Sequence, residues 1–445
     1  MSSFKAYDIR GIYNKDFDKE TVYKVGFFLK KLLNCDVVVI GRDVRLSSDE
    51  IFASLCDGIT DSGCDVWDIG LATTPMVYFA TVHLKVDASI QITASHNPAI
   101  YNGMKISKSG ALPVGANSGL LDLEKMVNEQ EIIISEKKGI IVEKSVLQDY
   151  IDFLKPYVPS LENLNLSLDL SHGMANLLTK DLLGENHHYL YDHFDGTFPA
   201  HEPNPLVEEN CKDIKAAVLK NQSDIGIIFD GDAHRVMFID EKGRFIQPDY
   251  ITALIGYYYL NKEKGNVLVD IRTSRSTTDY LKKLGANITT WKVGHAFAKI
   301  KLREINGIFG GELAGHYYFR DFFFCDSGIL ATLLVLQTIK DLKEKGMTLS
   351  QFIDSFVLYA NSSEINFKLE QKDEAMALLY KTFAEEQKPT AVYDFDGYRI
   401  EFDSWWFNVR KSNTEPYLRL VAEAKNRELL DEKIKQIKAI IESFT

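Results

Sequence analysis

Near the start of the chain, apolar residues recur with the spacing of one helical face. Between residues 20 and 33 they fall at Val22, Val25, Leu29 and Leu32. This spacing predicts an amphipathic helix. Short apolar runs at 36–40 and 89–92 follow, and the second continues directly into a polar loop. Helices that alternate with short buried strands predict parallel sheets covered by helices on both faces.

The same pattern recurs through the middle of the chain. Apolar runs at 166–170, 224–229, 267–271 and 307–309 each stop at a polar loop. We infer three similar α/β units, with joints near 141–150, 246–249 and 357–363. Because ligands of open α/β sheets bind beyond the carboxyl ends of the strands, we expect the chemistry of the protein in these loops.

The last part of the chain has a different pattern. Segments 391–402, 405–410 and 417–424 predict strands joined by tight turns, and the apolar face from Leu430 to Ile441 predicts a final helix. The predicted fold class is α/β, with three similar domains of mixed, mainly parallel sheets and a C-terminal α+β domain. We place the four domains at residues 1–145, 146–247, 248–358 and 359–445.

Composition limits the possible partners and compartment. The 445 residues carry 51 Lys and Arg against 63 Asp and Glu, a net charge of −12, which disfavours nucleic acids and membrane surfaces. The five cysteines are scattered and form no CxxC pair, which disfavours a disulfide framework. The start of the chain lacks the apolar stretch of a signal peptide, and run 329–336 is too short to cross a bilayer. We therefore expect a cytoplasmic protein.

The loop DGDAHR at 230–235 is suited to a metal ion. Asp230 and Asp232 stand two residues apart after a predicted buried strand. The intervening glycine allows the backbone to curl, so both carboxylates can converge on one cation. A solvated turn is the alternative interpretation.

The loop TASHNP at 93–98 offers a nucleophile. Ser95 follows a predicted strand, and Lys105, ten residues on, could return as an acid/base or a phosphate clamp. A serine hydrolase is a competing interpretation, but Ser95 is not in a GxSxG elbow and the neighbouring His96 is expected to point away. A polar turn closed by Asn-Pro is the other alternative.

Two further loops suit the binding of a sugar phosphate. In RKSNTEP (410–416), Arg410 offers a planar fork for phosphate, and the next residues add hydroxyl, amide and backbone donors. In GGELAGH (310–316), Glu312 could accept hydrogen bonds from a vicinal diol. A hairpin turn or helix cap and a glycine-rich structural turn are the respective alternatives. No GxGxxG fingerprint supports a dinucleotide.

Together, these loops and their order resemble the α-D-phosphohexomutase superfamily, and within it the phosphomannomutase/phosphoglucomutase branch. The matching motifs cover essentially the whole chain: FKAYDIRG (4–11), GRDVRLSS (41–48), TASHNPAIYNGMK (93–105), HEPNPLVEEN (201–210), DGDAHR, KVGHAFAK (292–299), GGELAGH and RKSNTEP. The resemblance implies an intramolecular phosphotransferase that interconverts hexose 6-phosphate and hexose 1-phosphate of mannose, glucose or both. A phosphoserine enzyme and a bound bisphosphate would be its intermediates.

The resemblance also implies a role for each matching residue around a central cleft. The four domains would carry, in order, the phosphoserine loop, the metal-binding loop, the sugar-specificity loop and the phosphate clamp. The catalytic residues would be Ser95, Lys105, Arg10, His295 and Arg235. One Mg²⁺ ion would be held by Ser95, Asp230, Asp232 and His234. The substrate would be bound by Glu312, His316, Arg410, Ser412, Asn413 and Thr414. Hexose 1,6-bisphosphate would be the activator, hexose phosphates the partners, and the protein a monomer or a homodimer.

Two positions depart from the family pattern. His234 replaces the third aspartate of the DGDxDR loop, and imidazole suits zinc or nickel better than Mg²⁺. His234 would therefore bind another metal, turn aside for a water, or mark an inactive relative. Ala314 replaces the serine of GGExSGH, a lost hydrogen bond worth about 0.5–1.5 kcal/mol, which is enough to bias substrate choice.

Two alternative functions stay open. One is phosphoglucosamine mutase, although its phosphate loop tends to read RxSGTE where Asn413 stands here. The other is a non-catalytic sugar-phosphate binder that has lost its metal, an interpretation favoured by His234.

Overall fold

Four β-sheets follow one another along the chain in a computed structural model that describes residues 3–412 and 417–444. The first sheet contains β1 Ile9–Ile12, β2 Val37–Arg42, β3 Asp65–Leu71, β4 Ala88–Ile92, β5 Tyr101–Lys108, β6 Leu112–Pro113 and β7 Ile141–Glu143. Its helices are α1 Lys19–Leu33, α2 Ser48–Asp61, α3 Thr74–His83 and α4 Leu120–Glu129. The strand order is β1-β5-β4-β2-β3-β7, with β6 beside β5.

The second sheet has five strands. They are β8 Leu166–Asp169, β9 His188–Leu190, β10 Ile225–Phe229, β11 Val236–Asp240 and β12 Phe245–Ile246, in the order β12-β11-β10-β8-β9. Three helices accompany the sheet, namely α5 Leu147–Leu154, α6 Thr179–Leu183 and α7 Lys212–Asn221.

The third sheet also has five strands. They are β13 Asn266–Asp270, β14 Asn287–Trp291, β15 Phe309–Gly311, β16 Tyr317–Phe319 and β17 Cys325–Asp326, in the order β14-β13-β15-β16-β17. The surrounding helices are α8 Pro248–Leu260, α9 Arg275–Lys283, α10 His295–Glu304, α11 Gly328–Glu344 and α12 Leu349–Phe356.

The fourth sheet is antiparallel. Its strands are β18 Ala360–Asn361, β19 Ile365–Lys368, β20 Ala391–Tyr393, β21 Tyr398–Glu401, β22 Trp405–Lys411 and β23 Tyr417–Ala424, in the order β18-β23-β22-β21-β20 with β19 beside β23. Two helices complete this unit, α13 Lys372–Tyr380 and α14 Arg427–Glu442. Leu430, Ile437 and Ile441 of α14 are buried in the core of this sheet, as their spacing predicts.

The first three sheets share one strand order, which confirms the three similar α/β units. The common orders are β3-β2-β4-β5-β1, β9-β8-β10-β11-β12 and β14-β13-β15-β16-β17. In each unit the first three strands of this order pair in parallel, and the fourth strand pairs antiparallel with both the third and the fifth. The mixed sheets and the separate α+β unit are the predicted fold class.

One continuous apolar core joins the first three units. It extends from Val39 and α3 through Leu166 and Leu168 to α8 and α11, whereas the fourth unit has a core of its own. The predicted boundaries at 145/146, 247/248 and 358/359 fall between successive sheets, and they stay predictions. Among residues 3–412 and 417–444, no helix combines the length and the apolar content needed to cross a membrane.

The third unit departs from the predicted elements at one strand. The apolar run at 307–309 predicts a strand that ends before Gly310, but β15 continues to Gly311. The two glycines belong to the strand because α8 packs directly against it. A Cβ on Gly311 would lie 2.0 Å from Thr252 Oγ1. The loop that follows is therefore shorter, and Glu312 is its first residue.

Candidate active site

Three loops occupy the same topological position in the three α/β units. Each joins the third strand of the shared order to the first antiparallel strand, from β4 to β5, from β10 to β11 and from β15 to β16. Each also contains one residue in the left-handed region, Ser95 (φ 54°), Ala233 (φ 57°) and Gly315 (φ 79°). The turns bend sharply there, at the carboxyl ends of the strands, where ligand sites of such sheets lie.

The loops of the first and second units touch each other at Ser95. Its hydroxyl donates a hydrogen bond to Asp230 Oδ2 at 2.9 Å, across 135 residues of sequence, and both side chains are buried. The backbones are equally close, since a Cβ on Gly231 would lie 2.7 Å from the Ser95 carbonyl oxygen. The structure therefore brings together the serine and the carboxylate loop that the sequence analysis placed in one site.

The position of His96 differs from the expectation. Its Nδ1 lies 3.2 Å from Ser95 Oγ, so the ring does not point away. The left-handed backbone at Ser95 is the physical reason, because it turns the two neighbouring side chains to one side. A hydrolase interpretation gains no support, since the Ser95 hydroxyl donates to Asp230.

A buried arginine that the sequence analysis assigned no role holds the serine loop. Arg45 Nη1 donates to the carbonyl oxygens of Pro98 (2.7 Å) and Tyr101 (2.9 Å), and Nη2 donates to those of Ser95 (2.9 Å) and Asn97 (2.7 Å). Asp43 accepts from Arg45 Nε at 3.1 Å. The only available signal was the GRDVRLSS motif, which contains both residues.

The second loop gathers its polar atoms on one side. Asp230 Oδ1 accepts the backbone N–H groups of His234 (3.1 Å) and Arg235 (3.0 Å), while Asp232 Oδ2 accepts from Thr74 Oγ1 (2.6 Å). These bonds leave Asp230 Oδ2 and Asp232 Oδ1 facing His234. Burial and the neighbouring Asp232 charge raise the pKa of Asp230. Burial opposes ionisation of Asp232 too, but the His234 ring holds the pKa of that carboxyl well below its usual range.

His234 does not turn aside from the carboxylates. Its Nδ1 lies 3.0 Å from Asp232 Oδ1 and 3.3 Å from Asp230 Oδ2, and its Nε2 lies 3.7 Å from Asp326 Oδ2. The ligand atoms of Asp230, Asp232 and His234 all lie within 4.8 Å of one another. Two carboxylates and a serine oxygen fit a hard cation such as Mg²⁺, but the imidazole nitrogen does not belong to the ligand set that Mg²⁺ prefers.

Cationic side chains lie beside the serine loop. Lys105 Nζ lies 3.0 Å from Asp8 Oδ2, and Arg10 Nη2 donates to the same oxygen. Arg10 Nη1 also donates to Asn97 Oδ1 at 2.7 Å. Burial lowers the pKa of Lys105, against the opposing effect of the Asp8 charge. Asp8, which the sequence analysis did not assign, therefore fixes two of the predicted catalytic residues together.

Arg235 leaves part of its guanidinium available. Its buried Nε has no hydrogen-bond partner among residues 3–412 and 417–444. The backbone N–H of Arg235 donates to Asp230 Oδ1, which fixes the position of its Cα in the loop. An unpaired buried donor on a cation is suited to an anionic ligand.

The third loop contains Glu312, the residue predicted to bind the sugar. Glu312 Oε1 accepts the Gly294 N–H (2.6 Å), and Oε2 accepts the Tyr318 hydroxyl (2.8 Å). Burial and the Asp270 charge raise the pKa of Glu312 to about 7. Tyr318 is a supporting residue that the sequence analysis missed.

Three histidines converge beside this loop. The ring centroids of His316 lie 4.6 Å from His234 and 5.6 Å from His295. His316 Nδ1 donates to Asp326 Oδ2 at 2.7 Å, and the buried Lys299 Nζ lies 2.8 Å from Asp326 Oδ1. Burial, with nearby positive charge, holds the pKa values of His295 and His316 well below the ordinary range.

The fourth unit contributes the predicted phosphate clamp. Arg410 is buried at the end of β22, and its Nε has no hydrogen-bond partner among the residues that the structure describes. The Ser412 N–H donates to the Tyr417 carbonyl at 2.9 Å. Asn413 and Thr414 lie outside the described residues.

Asp396, in a turn of the fourth unit, connects Arg410 to the segment that precedes His295. Asp396 Oδ1 lies 3.8 Å from Arg410 Nη1, and Asp396 Oδ2 accepts the Val293 N–H at 2.7 Å. The next residue, Gly294, donates to Glu312, and His295 follows it. Aromatic packing of Trp291 on Phe395 supports this contact.

One predicted site loop has a different role. The segment after β13, residues 271–275, which includes the first residue of α9, docks the fourth unit. Arg399 Nη1 donates to the carbonyl oxygens of Ile271 and Thr273 at 2.8 Å, and Arg275 Nη2 donates to that of Phe402 at 2.7 Å. Position at the end of a parallel strand therefore does not by itself assign a loop to the chemistry.

Comparison with known proteins agrees with the division of the chain into four units. Phosphoglucomutase/phosphomannomutase models match the chain in four successive segments: alpha/beta/alpha domains I, II and III over residues 1–131, 148–243 and 247–359, and the C-terminal domain over 364–440. The chain is 37% identical to a phosphomannomutase of Vibrio cholerae over 466 aligned residues, covering 100% of this chain and 99% of the relative. It is 38% identical to a phosphomannomutase of Escherichia coli K12 over 439 residues, covering 96% and 95%.

A solved structure is similar over the same extent. The crystal structure of a phosphoglucomutase/phosphomannomutase family protein from Burkholderia thailandensis matches with a TM-score of 0.89 at 27% identity, covering 100% of this chain and 98% of that chain. The four domain models match in order, and full-length relatives are more than 30% identical to the chain. These matches identify the family independently of the site residues. The chain belongs to the phosphoglucomutase/phosphomannomutase family of the α-D-phosphohexomutase superfamily.

Proposed function

We propose that Ser95 is the phosphoryl carrier of a hexose-phosphate mutase and that the three α/β loops and Arg410 form its active site. The family activity is an isomerisation by intramolecular phosphotransfer, which agrees with the full-length phosphomannomutase relatives. The observation that carries the residue assignment is the 2.9 Å contact between Ser95 Oγ and Asp230 Oδ2, which joins two separate units.

The transfer step needs positive charge and positioning more than covalent chemistry. A sugar hydroxyl oxygen attacks the phosphorus of phosphorylated Ser95, and the Ser95 oxygen leaves as the new ester bond forms. Arg10 and Arg235 would neutralise the phosphoryl oxygens. The proton of the attacking hydroxyl would pass to Lys105 or His295. Burial lowers the pKa of Lys105, which favours its neutral, proton-accepting form, and burial also keeps the imidazole of His295 neutral. The return step reverses these roles with the other phosphate.

The sugar and its distal phosphate would be held from the third and fourth units. Glu312 would accept hydrogen bonds from two sugar hydroxyls beside His316, and Arg410 with Ser412, Asn413 and Thr414 would bind the phosphate that is not reacting. A clamp distant from the reacting end allows its binding energy to orient the substrate. Because the bisphosphate carries phosphate at both ends, the clamp suits either orientation.

The metal of this site would be a divalent ion between Ser95, Asp230 and Asp232. His234 stands where the family loop has its third aspartate. The family resemblance favours Mg²⁺, with a hexose 1,6-bisphosphate as activator. When bound, such an ion neutralises charge on the transferred phosphoryl group. We also propose a cytoplasmic location. It is supported by five free cysteines, two of which, Cys35 and Cys64, have sulfur atoms 4.0 Å apart and share a hydrogen bond rather than a disulfide.

Intact-mass measurement tests the assignment of Ser95. Purified protein incubated with glucose 1,6-bisphosphate should gain one phosphate, and addition of mannose 1-phosphate or glucose 1-phosphate should remove it. Ser95→Ala should neither gain the phosphate nor isomerise sugar phosphates, whereas the exposed control Ser109→Ala should do both. A phosphate on Ser95→Ala would overturn the assignment.

A coupled assay separates the candidate substrates. Mannose 1-phosphate, glucose 1-phosphate and glucosamine 1-phosphate are compared with the bisphosphate present. Highest kcat/KM for glucosamine 1-phosphate would favour a phosphoglucosamine mutase. Binding of all three without turnover would favour the non-catalytic alternative.

A further inference from the structure

We propose that this chain binds its divalent ion in a mixed nitrogen and oxygen site, with His234 Nδ1 as a ligand beside Asp230 and Asp232, and therefore favours a transition metal over Mg²⁺. The proposal deepens the metal site of the proposed mutase. It concerns metal ligation alone, so it can fail while the assigned activity stands.

The first support is that the protein holds one oxygen of each carboxylate by hydrogen bonds, whereas the other oxygen lies beside His234 or Ser95. Asp230 Oδ1 and Asp232 Oδ2 accept hydrogen bonds from the protein, which leaves Asp230 Oδ2 and Asp232 Oδ1 toward His234 Nδ1. Ser95 Oγ reaches the same Asp230 Oδ2. The surrounding hydrogen bonds therefore select which oxygen of each carboxylate is available.

The second support is the spacing of these atoms. His234 Nδ1 lies 3.0 and 3.3 Å from the two carboxylate oxygens, and Ser95 Oγ lies 2.9 Å from Asp230 Oδ2. Adjacent ligands of an octahedral ion with bonds of about 2.1 Å are separated by about 3.0 Å. The observed separations are hydrogen-bond distances and also match the spacing of neighbouring ligand positions around one ion.

The third support is Asp326, a carboxylate near the other ring nitrogen of His234. The Nε2 of His234 is buried, lies 3.7 Å from Asp326 Oδ2 and has no hydrogen-bond partner among the residues that the structure describes. A histidine that binds a metal through one nitrogen usually donates its other N–H to a carboxylate, which fixes the ring and its tautomer. Asp326, which Lys299 and His316 hold in place, is a carboxylate on this side of the ring, and its 3.7 Å separation from Nε2 would have to shorten for the ring to donate to it.

The ligand chemistry sets the metal preference. Mg²⁺ binds oxygen ligands almost exclusively, whereas imidazole nitrogen is a good ligand for first-row transition metals. Exchange of a carboxylate for an imidazole also removes one negative charge from the site. Both changes weaken Mg²⁺ more than an ion such as Mn²⁺, Co²⁺ or Zn²⁺.

A second group of potential metal ligands shares His234 with the first group, so the two candidate sites have to be distinguished. His234, His316 and Asp326 also offer atoms within 4.8 Å of one another. We assign the ion to the carboxylate pair because Asp326 is already neutralised by Lys299 at 2.8 Å and hydrogen-bonded by His316 at 2.7 Å. An ion there would have to displace one of these partners.

Mn²⁺ is the probe for the test. Full-length protein is freed of metal with a chelator and titrated with Mn²⁺, and electron spin-echo spectroscopy detects any nitrogen-14 bound to the ion. Mg²⁺ is then added to find the concentration that displaces half of the Mn²⁺. The variants are His234→Asp, Asp326→Asn and His316→Asn, with exposed His188→Asn as the control. Circular dichroism checks that each is folded.

Wild type and His188→Asn should bind one Mn²⁺ with a nitrogen signal and resist displacement by Mg²⁺. His234→Asp should bind Mn²⁺ without that signal and release it at a lower Mg²⁺ concentration. Asp326→Asn should keep the signal and bind about 10- to 100-fold more weakly. Three results would overturn the proposal: no nitrogen signal in wild type, equal displacement of wild type and His234→Asp, or loss of the signal only in His316→Asn.

Discussion

Replacing Glu312 by glutamine removes one buried carboxyl group and retains its shape. The Gly294 N–H can still donate to the amide oxygen, and the Tyr318 hydroxyl can accept from the amide nitrogen. In the wild type, burial raises the pKa of Glu312 from 4.5 to about 7. Each pKa unit corresponds to about 1.4 kcal/mol, so the difference between folded and unfolded protein amounts to about 3 kcal/mol.

The sign follows from proton binding. Between pH 4.5 and 7 the folded protein keeps a proton that the unfolded chain has released. The free energy of unfolding of the wild type therefore falls as the pH rises through this window. Below pH 4.5 both states are protonated, and above pH 7 both are ionised. Relative to wild type, Glu312→Gln should gain about 3 kcal/mol between pH 4.5 and 7 and then show a constant difference.

Urea unfolding at a series of pH values measures this difference. The transition is followed in substrate-free wild type, in Glu312→Gln and in the control Glu304→Gln, whose side chain is 55% exposed. The control should show no comparable gain across the same window. A stability difference between Glu312→Gln and wild type that stays constant from pH 4.5 to 8 would refute the reasoning. It would mean that Glu312 does not keep its proton in the folded protein.

Three further substitutions test contacts around the site. Arg45→Lys leaves carbonyl oxygens of the serine loop without donors, at about 1–3 kcal/mol for each buried group, so the unfolding temperature should fall; an unchanged temperature contradicts this role. Arg410→Lys loses the planar fork and should lower kcat/KM about 10- to 100-fold in steady-state assays, and an unaltered value would remove Arg410 from the clamp. Asp396→Ala should lower kcat/KM, whereas Asp396→Asn should retain most of it because asparagine still accepts the Val293 N–H. Equal losses in the two variants would mean that the negative charge of Asp396 beside Arg410 matters instead of this hydrogen bond.

The sequence allowed the candidate site loops to be grouped because two independent signals coincide there. Each apolar run marks a strand, and the polar residues after it mark the carboxyl end at which ligands bind. Ser95 and Asp230 could be placed in one site for this reason, although 135 residues separate them. The order of the family motifs supplied the same grouping.

Other parts of the site could not be predicted from sequence because they depend on contacts between units. In the sequence, Arg45 cannot be distinguished from an ordinary surface arginine. Only the fold shows that its guanidinium donates hydrogen bonds to four carbonyl groups. Asp326 lies 92 residues after His234 in the sequence and acts from another sheet. The loop after β13 looks like a site loop in sequence and docks the fourth unit instead. Strand and loop patterns carry no information about which surfaces of two units meet.

The shared strand order gives a physical reason why a change such as His234 can be tolerated. The loops of Ser95, His234 and Glu312 occupy equivalent positions, and each rises from its own sheet and has backbone hydrogen bonds within its own unit. The His234 side chain makes none of these bonds, so its substitution leaves them in place. His234 nevertheless lies 3.7 Å from Asp326 of the third unit. Because Asp326 also accepts from His316, an ion bound through His234 would be coupled to a residue that we propose to border the sugar. Metal preference and sugar preference in this protein should therefore change together, and kcat/KM for mannose and glucose phosphates measured with Mg²⁺ and with Mn²⁺ would show it as a ratio that differs between wild type and His234→Asp.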